Sequence, residues 1–217
     1  MEEIGMNHLR ILLQSSLFEE TRNYPGTCYK MHDLVHDLAE SMSKSTKVID
    51  QDTYIVDNGD QIRYLAIDLS SGREDREKLL ESQSMSLHTL LVDGDLSDDM
   101  LMKLKNLYVL FLSTETSQEL PVSIGKLIHL RYVNLEESSI SILPDSLCKL
   151  YNLQTLTLKF QMPLEMGRLT CLQTLEFFNV GREKGRRIGE LGSLKNLKGN
   201  LEIRNLELAT TTTTKMC

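Results

Sequence analysis

The sequence has no closely spaced cysteine pair. Its four cysteines, Cys28, Cys148, Cys171 and Cys217, form no C-x-x-C and stand in no Cys/His cluster, so the ligand spacing of a structural zinc site is missing and free thiols are expected. No apolar run approaches the roughly 18 residues a bilayer crossing needs. The start, Met1-Glu2-Glu3, carries no basic region leading to a small-residue cleavage site, and no N-x-S/T acceptor occurs. These absences predict a cytoplasmic protein without a transmembrane segment. Also missing is the phosphate-cradling G-x-x-x-x-G-K-S/T loop, since Gly181-x-x-x-Gly185-Arg186 has a different spacing. Ser, His and Asp are present, but no pair stands in a catalytic motif, so no enzyme is expected. An excess of positive charge is absent too: the formal net charge is -7, which gives no general pull toward nucleic acid. The basic run Gly181-Arg182-Glu183-Lys184-Gly185-Arg186-Arg187 reads as a solvated insertion between repeats.

What is present is an ordinary core-forming composition, 41% hydrophobic and 25% charged over 217 residues, enough for two unequal units. From about residue 62 one pattern, L-x-x-L-x-L, recurs: Ile62/Leu65/Ile67, Leu87/Leu90/Val92, Leu107/Leu110/Leu112, Leu130/Val133/Leu135, Leu153/Leu156/Leu158, Leu172/Leu175/Phe177 and a looser Leu201/Ile203. The second apolar position advances by 25, 20, 23, 23, 19 and 26 residues, within the about 20 to 29 of a leucine-rich repeat. Between copies stand Leu120-Pro121-x-x-Ile124-x-Lys126-Leu127, Leu143-Pro144-x-x-Leu147-x-Lys149-Leu150 and Met162-Pro163-x-x-Met166-x-Arg168-Leu169. Proline fixes φ and cannot donate to a ladder, which suits the turn from strand into the return arm of a coil. The position just before each strand reads Asn106, His129, Asn152, Cys171 and Asn196, where an amide can bond the backbone of a neighbouring coil. The expected fold is therefore α/β: a solenoid of about seven coils over residues 62–208, each coil stable only when its neighbours cover it.

Ahead of the repeats, residues 6–16 predict an amphipathic helix with Leu9, Leu12 and Leu13 on one side. Leu17-Phe18 and Cys28-Tyr29-Lys30-Met31 predict a hairpin around Pro25-Gly26. Leu34, Val35, Leu38, Ala39 and Met42 fall at helical spacing. Helix, hairpin, helix is part of a winged-helix arrangement, assigned to residues 1–47, with 48–61 a linker or first-coil cap and 209–217 a low-complexity tail.

Met31-His32-Asp33-Leu34-Val35-His36-Asp37-Leu38-Ala39, together with Leu12-Leu13-Gln14-Ser15-Ser16-Leu17-Phe18 upstream and the L-P-x-x-I/L-x-K/R-L return arms downstream, closely resembles the plant intracellular nucleotide-binding leucine-rich-repeat disease-resistance proteins of the coiled-coil type. The resemblance runs over about residues 1–208. It implies that Met31-His32-Asp33 is the M-H-D motif of a nucleotide switch, with His32 sensing the phosphates of ADP and Asp33 supporting the loop. Without a phosphate-cradling loop the expectation for this chain alone is no cofactor, ADP or ATP belonging to the full-length family, and the chain reads as a truncated receptor. His32 and Asp33 equally suit a plain helix start, Asp33 favouring the N-terminal end of the dipole.

Residues between the inward leucines point to the opposite face of the strands and would line a concave sheet. Tyr64, Tyr108, Phe111, Tyr132, Phe160 and Phe178, with Arg131, Glu136, Glu137, Lys159, Glu176 and Arg204, fall among them or just beyond. Aromatics and arginine weigh heavily in protein interfaces. The functional expectation is thus a protein-interaction module of a disease-resistance receptor, its partner a pathogen-derived or host protein or the receptor's own nucleotide-binding domain. The alternatives are an ADP/ATP-dependent switch within a longer chain and a leucine-rich-repeat adaptor outside immunity.

Overall fold

The structure, a computed structural model, describes residues 2–23, 26–43, 45–49, 61–72, 74–159 and 162–209. Two compact units divide the chain, Met1–Thr46 and Lys47–Cys217. In the first, α1 (Glu2–Gln14) leads into β1 (Phe18–Asn23), which pairs antiparallel with β2 (Gly26–Met31) from Phe18↔Met31 to Asn23↔Gly26. Pro25, read as part of the turn, lies outside the described residues. The helical spacing after His32 forms α2 (Asp33–Met42), with Leu34, Leu38 and Met42 exposed along one side.

In the second unit, β3 (Thr46–Ile49) is the first strand of a seven-stranded sheet, followed in order by β4 (Tyr64–Asp68), β5 (Thr89–Asp93), β6 (Val109–Ser113), β7 (Tyr132–Asn134), β8 (Thr155–Thr157) and β9 (Thr174–Leu175). Strands β4 to β9 are parallel, each from the next copy of the repeat. Their register aligns Leu65, Leu90, Leu110, Val133, Leu156 and Leu175 as neighbours, and all six are buried. Each such aliphatic side chain contributes roughly 1.5–3 kcal/mol when fully covered.

The return arms change character along the chain. The first two are α-helices, α3 (Glu74–Gln83) and α4 (Asp98–Lys103), the latter capped by the Ser97 hydroxyl, which accepts from the Met100 N–H at 3.2 Å. After that the arms tighten to 3-10 turns, Val122–Lys126 and Asp145–Lys149, entered through Pro121 and Pro144 at φ -58° and -73°. The third proline motif departs: Glu165 sits at φ +60° and its turn, Met166–Arg168, is only three residues long. There the Glu165 N–H donates to Gly185 O at 2.8 Å, so the basic run bends back onto this arm. Gly185 is buried, whereas Arg182, Glu183, Lys184 and Arg187 are exposed.

Asparagines at the turns stitch the coils. The side-chain amides of Asn106, Asn152 and Asn196 donate to the carbonyls of Met85, Ile128 and Thr170, each at 2.8 Å and each in the preceding coil. Close stacking also needs Gly125, whose absent side chain admits Ser146 of the next arm; a Cβ there would collide with the Ser146 carbonyl oxygen and lie 2.7 Å from its Cβ.

Among the described residues, the seven-stranded sheet of the solenoid ends with β9. After β9 the chain bends at Glu176, and β10 (Phe177–Asn179) pairs in parallel with β11 (Glu202–Arg204) as a separate two-stranded sheet.

Candidate protein-binding face

On the side of the sheet opposite the leucine core, the register sets two rows of side chains. One runs Tyr64, Thr89, Val109, Tyr132, Thr155, Thr174; the other runs Ala66, Leu91, Phe111, Asn134, Thr157. Phe111 and Tyr132 come together across β6 and β7, ring centroids 4.9 Å apart and planes inclined 33°. Leu91 is 41% and Tyr64 48% exposed. Over these strands lies an open groove of about 540 Å³, floored by Ala66, Leu91 and Phe111 and walled by Val48 of β3, Asp68, Asp93, Asn134 and Glu137.

Tyr108 and Arg131 belong elsewhere. They sit where the strands begin, in the line whose carbonyls receive the N–H of the next coil: Tyr108 N–H to His88 O, and Arg131 N–H to Tyr108 O, both 2.8 Å. His88 meets the Tyr108 ring edge-on at 5.2 Å, His129 lies 6.1 Å away, and the Arg131 guanidinium stands 5.5 Å above the same ring. Such a cation–π contact is worth about 0.5–1 kcal/mol at an exposed site. The expected aromatic surface is therefore two clusters, one on the face and one along the rim.

At the opposite rim, where strands end, Asp68 and Asp95 are held by hydroxyls. The Ser70 hydroxyl and N–H, helped by Arg76, keep the Asp68 carboxyl below its ordinary range. Arg76 is wholly buried and lies 3.5 Å from that carboxylate, its Nη1 also donating to Asp68 O at 2.6 Å. Burial pushes Asp95 upward, but bonds from Thr114, Thr116 and Ser117 outweigh it and the net shift is down. Glu136 is exposed beside this rim, Lys159 is exposed after β8, and Glu176 is exposed at the break.

Phe178 corrects the sequence reading. Placed on the binding face by strict alternation, it is 1% exposed, because the bend at Glu176 resets which side chains turn inward, and Phe178 pairs with Ile203 rather than extending the β4–β9 rows. Phe160 lies outside the described residues. Leu91 and Val48 were missed: Leu91 is embedded in the aliphatic run Leu90-Leu91-Val92, and only its place between the two inward leucines marks it as facing outward.

His32 occupies the junction of β2 and α2. Its carbonyl accepts the N–H groups of Val35 and His36 at 2.9 Å, and its side chain is exposed, as is that of Asp33 in the first helical turn. The motif thus begins a helix. Among the described residues no group of three or more His, Cys, Asp or Glu could hold a metal ion, and no helix is long and apolar enough to cross a membrane. Cys148 is buried against Leu164 O, and burial pushes its thiol up to about 12, which makes it a packing residue and not a nucleophile.

Residues 82–216 match the family model of a leucine-rich repeat region, and residues 1–39 that of a disease resistance protein winged helix domain. This chain belongs to the leucine-rich-repeat disease-resistance proteins. Similar relatives include disease resistance protein RGA2 of Solanum bulbocastanum, 35% identical over 95% of this chain and 22% of that protein. Putative disease resistance protein RGA1 of the same species is 32% identical over the same shares. The chain thus spans about a fifth of these relatives. A solved leucine-rich-repeat protein of Leptospira interrogans aligns at a TM-score of 0.48 and 24% identity, over 65% of this chain and 36% of its own.

Proposed function

We propose that this chain is the protein-recognition part of a plant immune receptor and that the open face over β4–β7 is its contact surface. The observation that carries this reading is the apolar cluster of exposed Leu91 with half-buried Phe111 and Tyr132, lying on a sheet whose other side is a continuous leucine core. Apolar groups exposed together on a rigid scaffold favour partner burial over catalysis. The partner is a pathogen-derived or host protein, or the receptor's own nucleotide-binding domain, which the face would hold in its resting arrangement. The matches to disease resistance proteins support the immune setting.

Alanine at Leu91, Phe111 and Tyr132 together is expected to weaken binding to a partner of the wild-type chain by tenfold or more, a scale of about 1.4 kcal/mol, with the circular dichroism spectrum unchanged. Calorimetric titration checks this. Equal affinity for a well-folded variant sinks the assignment.

A further inference from the structure

The face is polarised across its width. At the strand starts, residues 61–64, 86–89, 105–109, 128–132, 151–155 and 170–174 contain no aspartate or glutamate and carry Arg63, Lys105 and Arg131. At the ends of β4 to β7 stand Asp68, Asp93, Asp95, Glu115, Glu136 and Glu137, while Lys159 follows β8. The groove opens toward this second rim: Asp68, Asp93 and Glu137 line it, and no lysine or arginine does among its described lining residues. Arg76 already answers Asp68. Asp93 and Glu137 are both exposed, beside an apolar floor formed by Ala66, Leu91 and Phe111.

We propose that this groove docks a protein segment in which a lysine or arginine adjoins an apolar side chain, the apolar group seated on Leu91 and Phe111 and the cation facing Asp93 and Glu137. The proposal rests on the open face being the contact surface and adds the chemistry of what it accepts. Charge complementarity selects the occupant: an acidic segment would bring like charges against two carboxylates, and such juxtaposition at an interface rejects partners. A neutral apolar segment would leave the rim without an answer. The opposite sign at the strand starts fixes polarity too, so that the cationic end of the segment lies toward the strand ends and an acidic end toward Arg63 and Arg131.

The test is a titration of the full chain with three labelled pentapeptides: Lys-Leu-Phe-Lys-Leu, Glu-Leu-Phe-Glu-Leu and Lys-Ser-Gly-Lys-Ser. Binding is followed by fluorescence anisotropy and mapped by amide chemical shifts. The first peptide is expected to bind at least tenfold more tightly than either other, to shift amides of β5 and β6, and to weaken as salt rises. Replacing Asp93→Lys together with Glu137→Lys should transfer the preference to the glutamate peptide. Equal binding of the glutamate peptide to the wild-type chain overturns the proposal. So does equal binding of the serine-glycine peptide, which would show charge attraction alone, or a preference unmoved by charge reversal. If the Leu91, Phe111, Tyr132 alanine variant loses its protein partner while the peptides show no preference, the face stands and only the cationic assignment fails. If neither measurement responds, both fall.

Discussion

Arg76 enters the core with no exposed surface, and a guanidinium taken out of water is tolerable only where its charge and hydrogen bonds are answered. Asp68 supplies both a carboxylate and a backbone carbonyl, fastening α3 to the end of β4. Because the Asp68 carboxyl is held below the ordinary aspartate value, chiefly by Ser70 and then by Arg76, its contribution is present above that value. It is lost as pH falls below it through the lower folded value. Urea unfolding at neutral pH and near pH 3 should therefore show an acid-induced loss that Asp68→Asn reduces. At neutral pH Asp68→Ala is expected to cost about 3–5 kcal/mol by stranding a buried charge, and adding Arg76→Met should recover most of it. A double variant no more stable than the single one would contradict the pairing.

At the scale of the element, the turns decide how closely coils stack. Gly125→Ala places a methyl group against Ser146 backbone and side chain and is expected to destabilise by about 1–3 kcal/mol, the usual cost of overpacking. Thermal melting measures it, and an unchanged midpoint would mean that the two arms separate without penalty. Strand elements were legible in the sequence because L-x-x-L-x-L imposes both the inward row and the pairing register, and the turn asparagines because an amide at that position can bond the backbone of a neighbouring coil. The α-helical arms were not. α3 is so polar that it shows no apolar stripe, although it buries Arg76, Leu79 and Leu80. The break at Glu176 was not legible, since the steps of 19 and 26 around it barely exceed the 20 and 25 that open the series, and spacing could not say that Phe178 would turn inward. On the candidate face, aromatic residues advertise themselves, whereas Leu91 is distinguishable from its core neighbours only once strand orientation is known.

For the whole molecule, a solenoid's stability is a sum of coils and the interfaces between them, so protection should follow position. Strands β5 to β7 have a parallel partner on both sides, whereas β11 pairs only with β10 and its three residues are exposed. Native-state hydrogen exchange is expected to show slow amides in β5–β7 and amides in β11 faster by at least tenfold; uniform protection from β5 to β11 would mean that the break at Glu176 does not divide the unit. The asparagine stitches add a direction to this sum. Asn106, Asn152 and Asn196 all reach backward, to carbonyls of the coil before, so a chain leaving the ribosome N-terminus first always finds the acceptor already made. Each of these three bonds can therefore close as its own coil emerges, while burial of that coil's leucines still waits for the coil that follows.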